Sequence, residues 1–203
     1  MKIICIGRNY VDHARELNNP VPAEPVFFLK PDTALLPKKT PFIYPGFSKD
    51  IHHEVEIVIK INRLGKHIEE RFAHKYYNEI GIGVDFTARD IQQQCKEKGL
   101  PWEKAKAFDG SAPVGKFLNI TEFNNIHDLN FNLQINGEIK QQGNTKDMLF
   151  NFNRIIAYVS QFFTLKIGDL IFTGTPAGVG PVQINDKIDC FIEDQKLLSF
   201  NVK

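Results

Sequence analysis

The stretch His52-His53-Glu54-Val55-Glu56-Ile57-Val58-Ile59-Lys60 constrains this chain more than any other. Successive residues of a strand point to opposite faces, so Glu54 and Glu56 project together while Val55, Ile57 and Ile59 face the other way. Two carboxylates a few ångströms apart repel, and burial raises the cost unless a cation lies between them. Two arrangements meet that constraint: half of a site for a hard divalent cation, or an edge strand whose acidic face looks into water. The first needs further ligands from elsewhere in the chain.

Composition narrows the partners. A net charge of +1 over 203 residues gives no electrostatic reason to expect nucleic acid or a membrane surface. The length suits one domain, residues 1–203, with room for a proper core. The apolar run Met1–Gly7 is too short for a signal peptide and reads as a first strand, and no stretch is long and apolar enough to span a membrane. Cys5, Cys95 and Cys190 lie far apart and form no C-x-x-C pair, so a reduced, cytoplasmic protein is expected, with Cys5 and Cys190 as packing residues in apolar runs and a reactive cysteine as the alternative.

Along the chain, a strand over residues 2–6 leads into Gly7-Arg8-Asn9-Tyr10 and then a short helix from Asp12, stopped by Asn18-Asn19-Pro20. His13 and Glu16 share a face of that helix, either as a carboxylate-oriented base or as a surface pair. Seven prolines from Pro20 to Pro45 predict an irregular wrapping segment, with Pro25–Pro31 as its only strand-like run. A helix is expected within residues 68–79. The run Ile80–Val84 delivers Asp85 at a strand end, as a third metal ligand or as a turn residue. Thr87 and Asp90 have the spacing of a helix cap and its return partner, and Gly99 supplies the stop. Farther on come a hairpin turning at Asn136-Gly137, a helix over 151–163, and a glycine-rich turn at Thr173–Gly180, either anion-binding or without a ligand. Strands near 187–192 and 196–202 close the chain.

Taken in order, Gly7-Arg8-Asn9-Tyr10 with Asp12-His13 and Glu16, Phe28-Leu29-Lys30-Pro31, His53-Glu54-Val55-Glu56, Asp85-Phe86-Thr87-Ala88-Arg89-Asp90, Lys106 and Thr173-Gly174-Thr175-Pro176 resemble the fumarylacetoacetate hydrolase family over nearly the whole chain. The length and Gly99-Leu100-Pro101-Trp102 are most similar to its short acylpyruvase and oxaloacetate decarboxylase branch. The resemblance implies a mainly β, α+β fold, a mixed β-sandwich or roll with few helices, and a homodimer. It implies Glu54, Glu56 and Asp85 as ligands of one Mg²⁺ or Mn²⁺. It also implies Lys106 near the substrate, Arg8, Gln92, Gly174 and Thr175 as substrate-binding, and His13 with Glu16 as a catalytic dyad on a lid. The motif's histidine is His52 by spacing, with His53 beside it.

The residue types suit that chemistry. Three carboxylates make a hard, all-oxygen site that favours Mg²⁺ or Mn²⁺ over zinc and leaves positions open for a 2-oxo acid. An enolate formed there would be stabilised by the metal and Lys106. Water activated by His13 and added to the distal carbonyl of an acylpyruvate would let C3–C4 break to that enolate, giving pyruvate and a carboxylic acid, and loss of CO₂ from oxaloacetate would give the same enolate. The expected function is therefore a metal-dependent C–C bond hydrolase or decarboxylase of short β-diketo acids. The alternative is an isomerase that moves a proton between C3 and the enol oxygen without breaking a bond, as in oxaloacetate tautomerisation or 2-hydroxyhepta-2,4-diene-1,7-dioate isomerisation.

Overall fold

The computed structural model describes residues 1–16 and 20–203. Its strands are β1 (Ile3–Gly7), β2 (Val26–Lys30), β3 (Ile51–His53), β4 (Val55–Ile61), β5 (Tyr77–Val84), β6 (Thr87–Ala88), β7 (Leu118–Asn119), β8 (Asn130–Ile135), β9 (Glu138–Asn144), β10 (Leu170–Phe172), β11 (Gly180–Pro181), β12 (Lys187–Ile192) and β13 (Gln195–Asn201). Four α-helices accompany them, α1 (Val11–Glu16), α2 (Arg89–Lys98), α3 (Glu103–Lys106) and α4 (Phe152–Phe162). The fold is mainly β with few helices, as expected.

A six-stranded sheet in the order β2-β1-β10-β4-β5-β7 carries the site, and only β1 and β10 in it run parallel. Because β4 is antiparallel to both its neighbours, its first residues meet the ends of β5 and β10. A four-stranded antiparallel sheet, β13-β12-β8-β9, and a small sheet, β11-β3-β6, complete the structure. The two faces of β4 differ in content. Val55, Ile57, Ile59 and Ile61 enter the larger core with Ile4, Ile6, Ile82 and Ile171, all essentially inaccessible to water. Val58 faces a smaller cluster with Ile3, Cys5 and Phe172, and Glu56 opens onto that same side. Burying such β-branched side chains contributes roughly 1.5–3 kcal/mol each, which holds β4 rigidly beneath the carboxylate.

Three local expectations are corrected. Residues 68–79 are not one helix: a 3₁₀ helix covers Glu70–Lys75, and β5 starts at Tyr77. Glu79 is drawn into the sheet opposite Lys60, with an ion pair of 2.7 Å. Thr87 does not cap α2. Ala88 occupies the cap, while the Asp90 carboxylate accepts from Ser48 Oγ at 2.6 Å and Lys49 N at 3.1 Å. The acidic run is also two strands, broken at Glu54. The expected stop at Asn18-Asn19 lies outside the described residues. The hairpin, the helix after Asn151 and the stop of α2 at Gly99 stand where the sequence places them.

Candidate active site

Glu54 sits in the step between β3 and β4, Glu56 within β4, and Asp85 one residue past β5, where its N–H donates to the Glu54 carbonyl at 2.8 Å. All three are buried, and one carboxylate oxygen from each lies within 4.8 Å of the others. Glu56 therefore belongs to a central strand and not to an edge facing water.

Cations surround this cluster. Lys106, at the end of α3, donates to Glu54 Oε2 and Asp85 Oδ2, both at 2.8 Å. Arg89, at the start of α2, donates to Glu54 Oε1 at 2.7 Å and to Gln92 Oε1 at 2.7 Å. Lys30, inaccessible to water, stands 2.7 Å from Asp85 Oδ1 and donates to Ser111 Oγ at 2.9 Å and Ser111 O at 3.0 Å. Burial pushes the Glu54 carboxyl up, but Lys106 and Arg89 outweigh it and hold the group well below the usual carboxylate range. For Lys106, burial disfavours the charge, and Asp85 and Glu54 override it and raise its pKa. Glu56 is different: burial, then the charges of Asp85 and Glu54, push its carboxyl well up despite the Gly174 N–H that donates to Oε2 at 2.6 Å. It is the member of the triad that lacks a cation of its own.

The residues fit a hard divalent cation. Asp85 Oδ1 is buried with no hydrogen bond, because Lys30 approaches it at ion-pair distance but off hydrogen-bond alignment. Glu56 keeps one oxygen beyond the Gly174 contact. Three carboxylates whose oxygens are gathered within 4.8 Å in a buried site are the hard, all-oxygen donor set that a Mg²⁺- or Mn²⁺-type ion takes.

An inner cavity of about 40 Å³ opens beside the triad and is lined also by Arg8, His13, Phe28, Gln92, Lys96 and Trp102. His13 Nδ1 lies 3.4 Å from Glu16 Oε2, and Glu16 in turn accepts from Gly178 N at 3.2 Å, which ties α1 to the glycine-rich turn. Burial lowers the His13 pKa against the raising influence of Glu54 and Glu16, so the ring is neutral at neutral pH. Thr175 lines the cavity, but its hydroxyl donates to Val55 O at 2.9 Å and accepts from Gln141 Nε2 at 2.6 Å. Gly174 does not line the cavity: its N–H goes to Glu56. Its φ of 100° and a would-be Cβ only 2.6 Å from Asn9 Cβ admit no side chain there.

Four residues of the site carry roles that the sequence reading did not assign. Lys30 and Arg89 stand inside quoted motifs, so a signal for them existed. Gln141 has none: from β9 it accepts from Val55 N at 2.9 Å, pairs with His53 Nδ1 at 3.1 Å, and donates to Thr175 Oγ1 and, at 2.8 Å, to Pro176 O. Asn9, which stands inside the Gly7–Tyr10 motif, donates to Thr173 O at 2.7 Å. His53 is buried and pairs with Gln141, whereas His52 is half-buried and pairs with Asp50 at 2.9 Å.

Fold and site together define a carboxylate-triad enzyme, and the chain belongs to the fumarylacetoacetate hydrolase family: the model of the fumarylacetoacetate (FAA) hydrolase C-terminal domain matches residues 2–203. It is 44% identical over 201 residues to the mitochondrial oxaloacetate tautomerase of Mus musculus, covering 99% of this chain and 91% of that protein. It is 42% identical over 197 residues to an oxaloacetate tautomerase of Escherichia coli, covering 97% and 90%. The fumarylpyruvate hydrolase of Pseudomonas aeruginosa, solved with Mn²⁺ and pyruvate, superposes with a TM-score of 0.93 at 34% identity, covering 100% of this chain and 89% of that one.

Proposed function

We propose that the protein is a Mg²⁺- or Mn²⁺-dependent tautomerase that interconverts the enol and keto forms of oxaloacetate. The observation that carries this reading is the cavity itself. It sets one buried lysine and one neutral imidazole beside the three carboxylates. Enolisation of a four-carbon acid needs a group to stabilise charge on the C2 oxygen and a group to move the C3 proton, and nothing more. Lys106 suits the first role, since its raised pKa keeps it charged where the oxygen would gain electron density. His13 suits the second: with Nδ1 turned to Glu16, Nε2 is the nitrogen available to take or return a proton. A divalent cation held by Glu54, Glu56 and Asp85 would supply Lewis-acid stabilisation of the same developing charge. The two tautomerases that share 42–44% of their residues with nearly the whole chain support this choice of reaction.

C–C bond cleavage of acylpyruvates is the second reading. It is favoured by the Glu16-oriented His13, which could activate a water, and by the likeness to a fumarylpyruvate hydrolase. One assay separates the two: purified protein with Mg²⁺ is given oxaloacetate and acetylpyruvate side by side, following enol loss and pyruvate release. Rapid enol–keto conversion without pyruvate supports the tautomerase; prompt pyruvate from acetylpyruvate replaces it with the hydrolase.

A further inference from the structure

Most cations around the cavity already have carboxylate partners. Lys30 faces Asp85, Arg89 faces Glu54, and Lys106 bridges both. Among the described residues, the other two basic side chains of the cavity wall, Arg8 and Lys96, have no carboxylate within ion-pair distance. Both are half-buried. Their charges oppose one another: burial, then Arg89 and Arg8, hold the Lys96 ammonium below its ordinary pKa. Like charges brought together in a cavity wall are unfavourable unless an anion joins them.

The backbone holds Arg8 in place against its preference. Its φ of 58° lies in the left-handed region, rare for a residue with a side chain. Asn9 enforces it: the buried amide donates to Thr173 O and, at 3.0 Å, to Phe150 O, accepts from Phe150 N at 2.8 Å, and the Asn9 carbonyl accepts from Leu149 N at 2.8 Å. Strain that surroundings over-determine in this way clusters at ligand sites. Two aromatic rings separate the lysines. Lys106 Nζ lies 5.2 Å from the Phe28 ring, Phe28 packs on Trp102 at 6.2 Å, and Lys96 Nζ lies 5.9 Å from the Trp102 ring. The cavity thus has a cationic pole at Lys106, Lys96 across the Phe28–Trp102 pair from it, and Arg8 on the same cavity wall.

We infer that Arg8 and Lys96 form a second carboxylate subsite, which makes the cavity selective for 2-oxo dicarboxylates over 2-oxo monocarboxylates. The inference rests on reading the Lys106 pole as the site of the 2-oxo acid end. Lys96 is then a specificity-determining residue, not a catalytic one, and it recognises the second carboxylate of the substrate.

The single tryptophan, Trp102, reports on the subsite directly. Stopped-flow tryptophan fluorescence of the full-length Mg²⁺-loaded protein, titrated with oxaloacetate or with pyruvate, gives a Kd for each acid within seconds of mixing. Wild type should bind oxaloacetate at least about tenfold tighter than pyruvate, the scale of one charge-assisted hydrogen bond at a half-exposed site. Lys96→Gln should erase about that factor for oxaloacetate and leave the pyruvate Kd within about twofold, and Lys96→Arg should restore it. Equal affinities in wild type, or equal shifts of both acids in Lys96→Gln, overturn the subsite. Enol conversion is scored separately: discrimination without turnover removes the tautomerase and keeps the subsite, and turnover without discrimination does the reverse.

Discussion

Replacing Glu56 with Gln should make the metal-free protein more stable while removing its response to metal. The side chain is 1% exposed and its Oε2 accepts from Gly174 N, a bond that the Gln oxygen reproduces. What changes is the charge. At the 4.8 Å limit of the triad, two unit charges repel by about 3.5 kcal/mol at an effective dielectric of about 20. Burial and the Asp85 and Glu54 charges hold the Glu56 carboxyl well above its ordinary 4.5. A carboxyl raised in the folded state favours folding while protonated. That stability is complete below pH 4.5 and drains away as pH rises toward the folded-state value, at about 1.4 kcal/mol per pH unit. Glu56→Gln cannot lose it. Urea unfolding in EDTA, followed by Trp102 fluorescence, should therefore show no difference near pH 4.5 and an advantage of about 2–3 kcal/mol for the variant at pH 7. With Mg²⁺ at about 100 times its Kd, wild type should gain about 2.7 kcal/mol and the variant far less. A variant less stable than wild type in EDTA, or one that gains as much from Mg²⁺, would refute the reasoning.

Further expectations concern the supports of the site. Gln141→Leu leaves Val55 N–H and Pro176 O without their partner, and should cost about 2–4 kcal/mol by urea unfolding and lower kcat/KM through a loosened Thr175 turn. His13→Ala should slow enol–keto conversion by about 10²–10⁴-fold with Mn²⁺ affinity retained; an unchanged rate removes His13 from proton transfer. Burial lowers the pKa of His53, chiefly against its bond with Gln141, so the unfolded chain takes up its proton first. Stability from the neutral ring is complete above pH 6.5 and is lost as pH falls below it, and His53→Asn should flatten that part of the urea-midpoint profile.

The carboxylates were legible because their spacing is local. Alternation along β4 places Glu56 opposite the face of Val55, Ile57 and Ile59 whatever the neighbours are, and the apolar run of β5 ends where Asp85 begins. The order of the sheet was not legible. Nothing in residues 2–6 or 170–172 announces that β1 and β10 lie side by side in parallel, yet that pairing brings Arg8 and Thr175 to one cavity. Lys30 reaches Asp85 across 55 positions from within a motif that marks it, whereas Gln141 reaches Val55 across 86 with no motif, so its role follows from tertiary placement alone. At Tyr77 and Glu79, helical spacing yielded to a cross-strand ion pair with Lys60. At Thr87, the cap signal yielded to the pairing of β6 with β3.

The most direct test is an anomalous difference map from crystals of the protein soaked in Mn²⁺. One strong peak per chain is expected, coordinated by oxygens of Glu54, Glu56 and Asp85, and lost in Glu56→Gln. A map with no peak there, or a peak at the same place and strength in the variant, would contradict the metal centre on which the proposed chemistry depends.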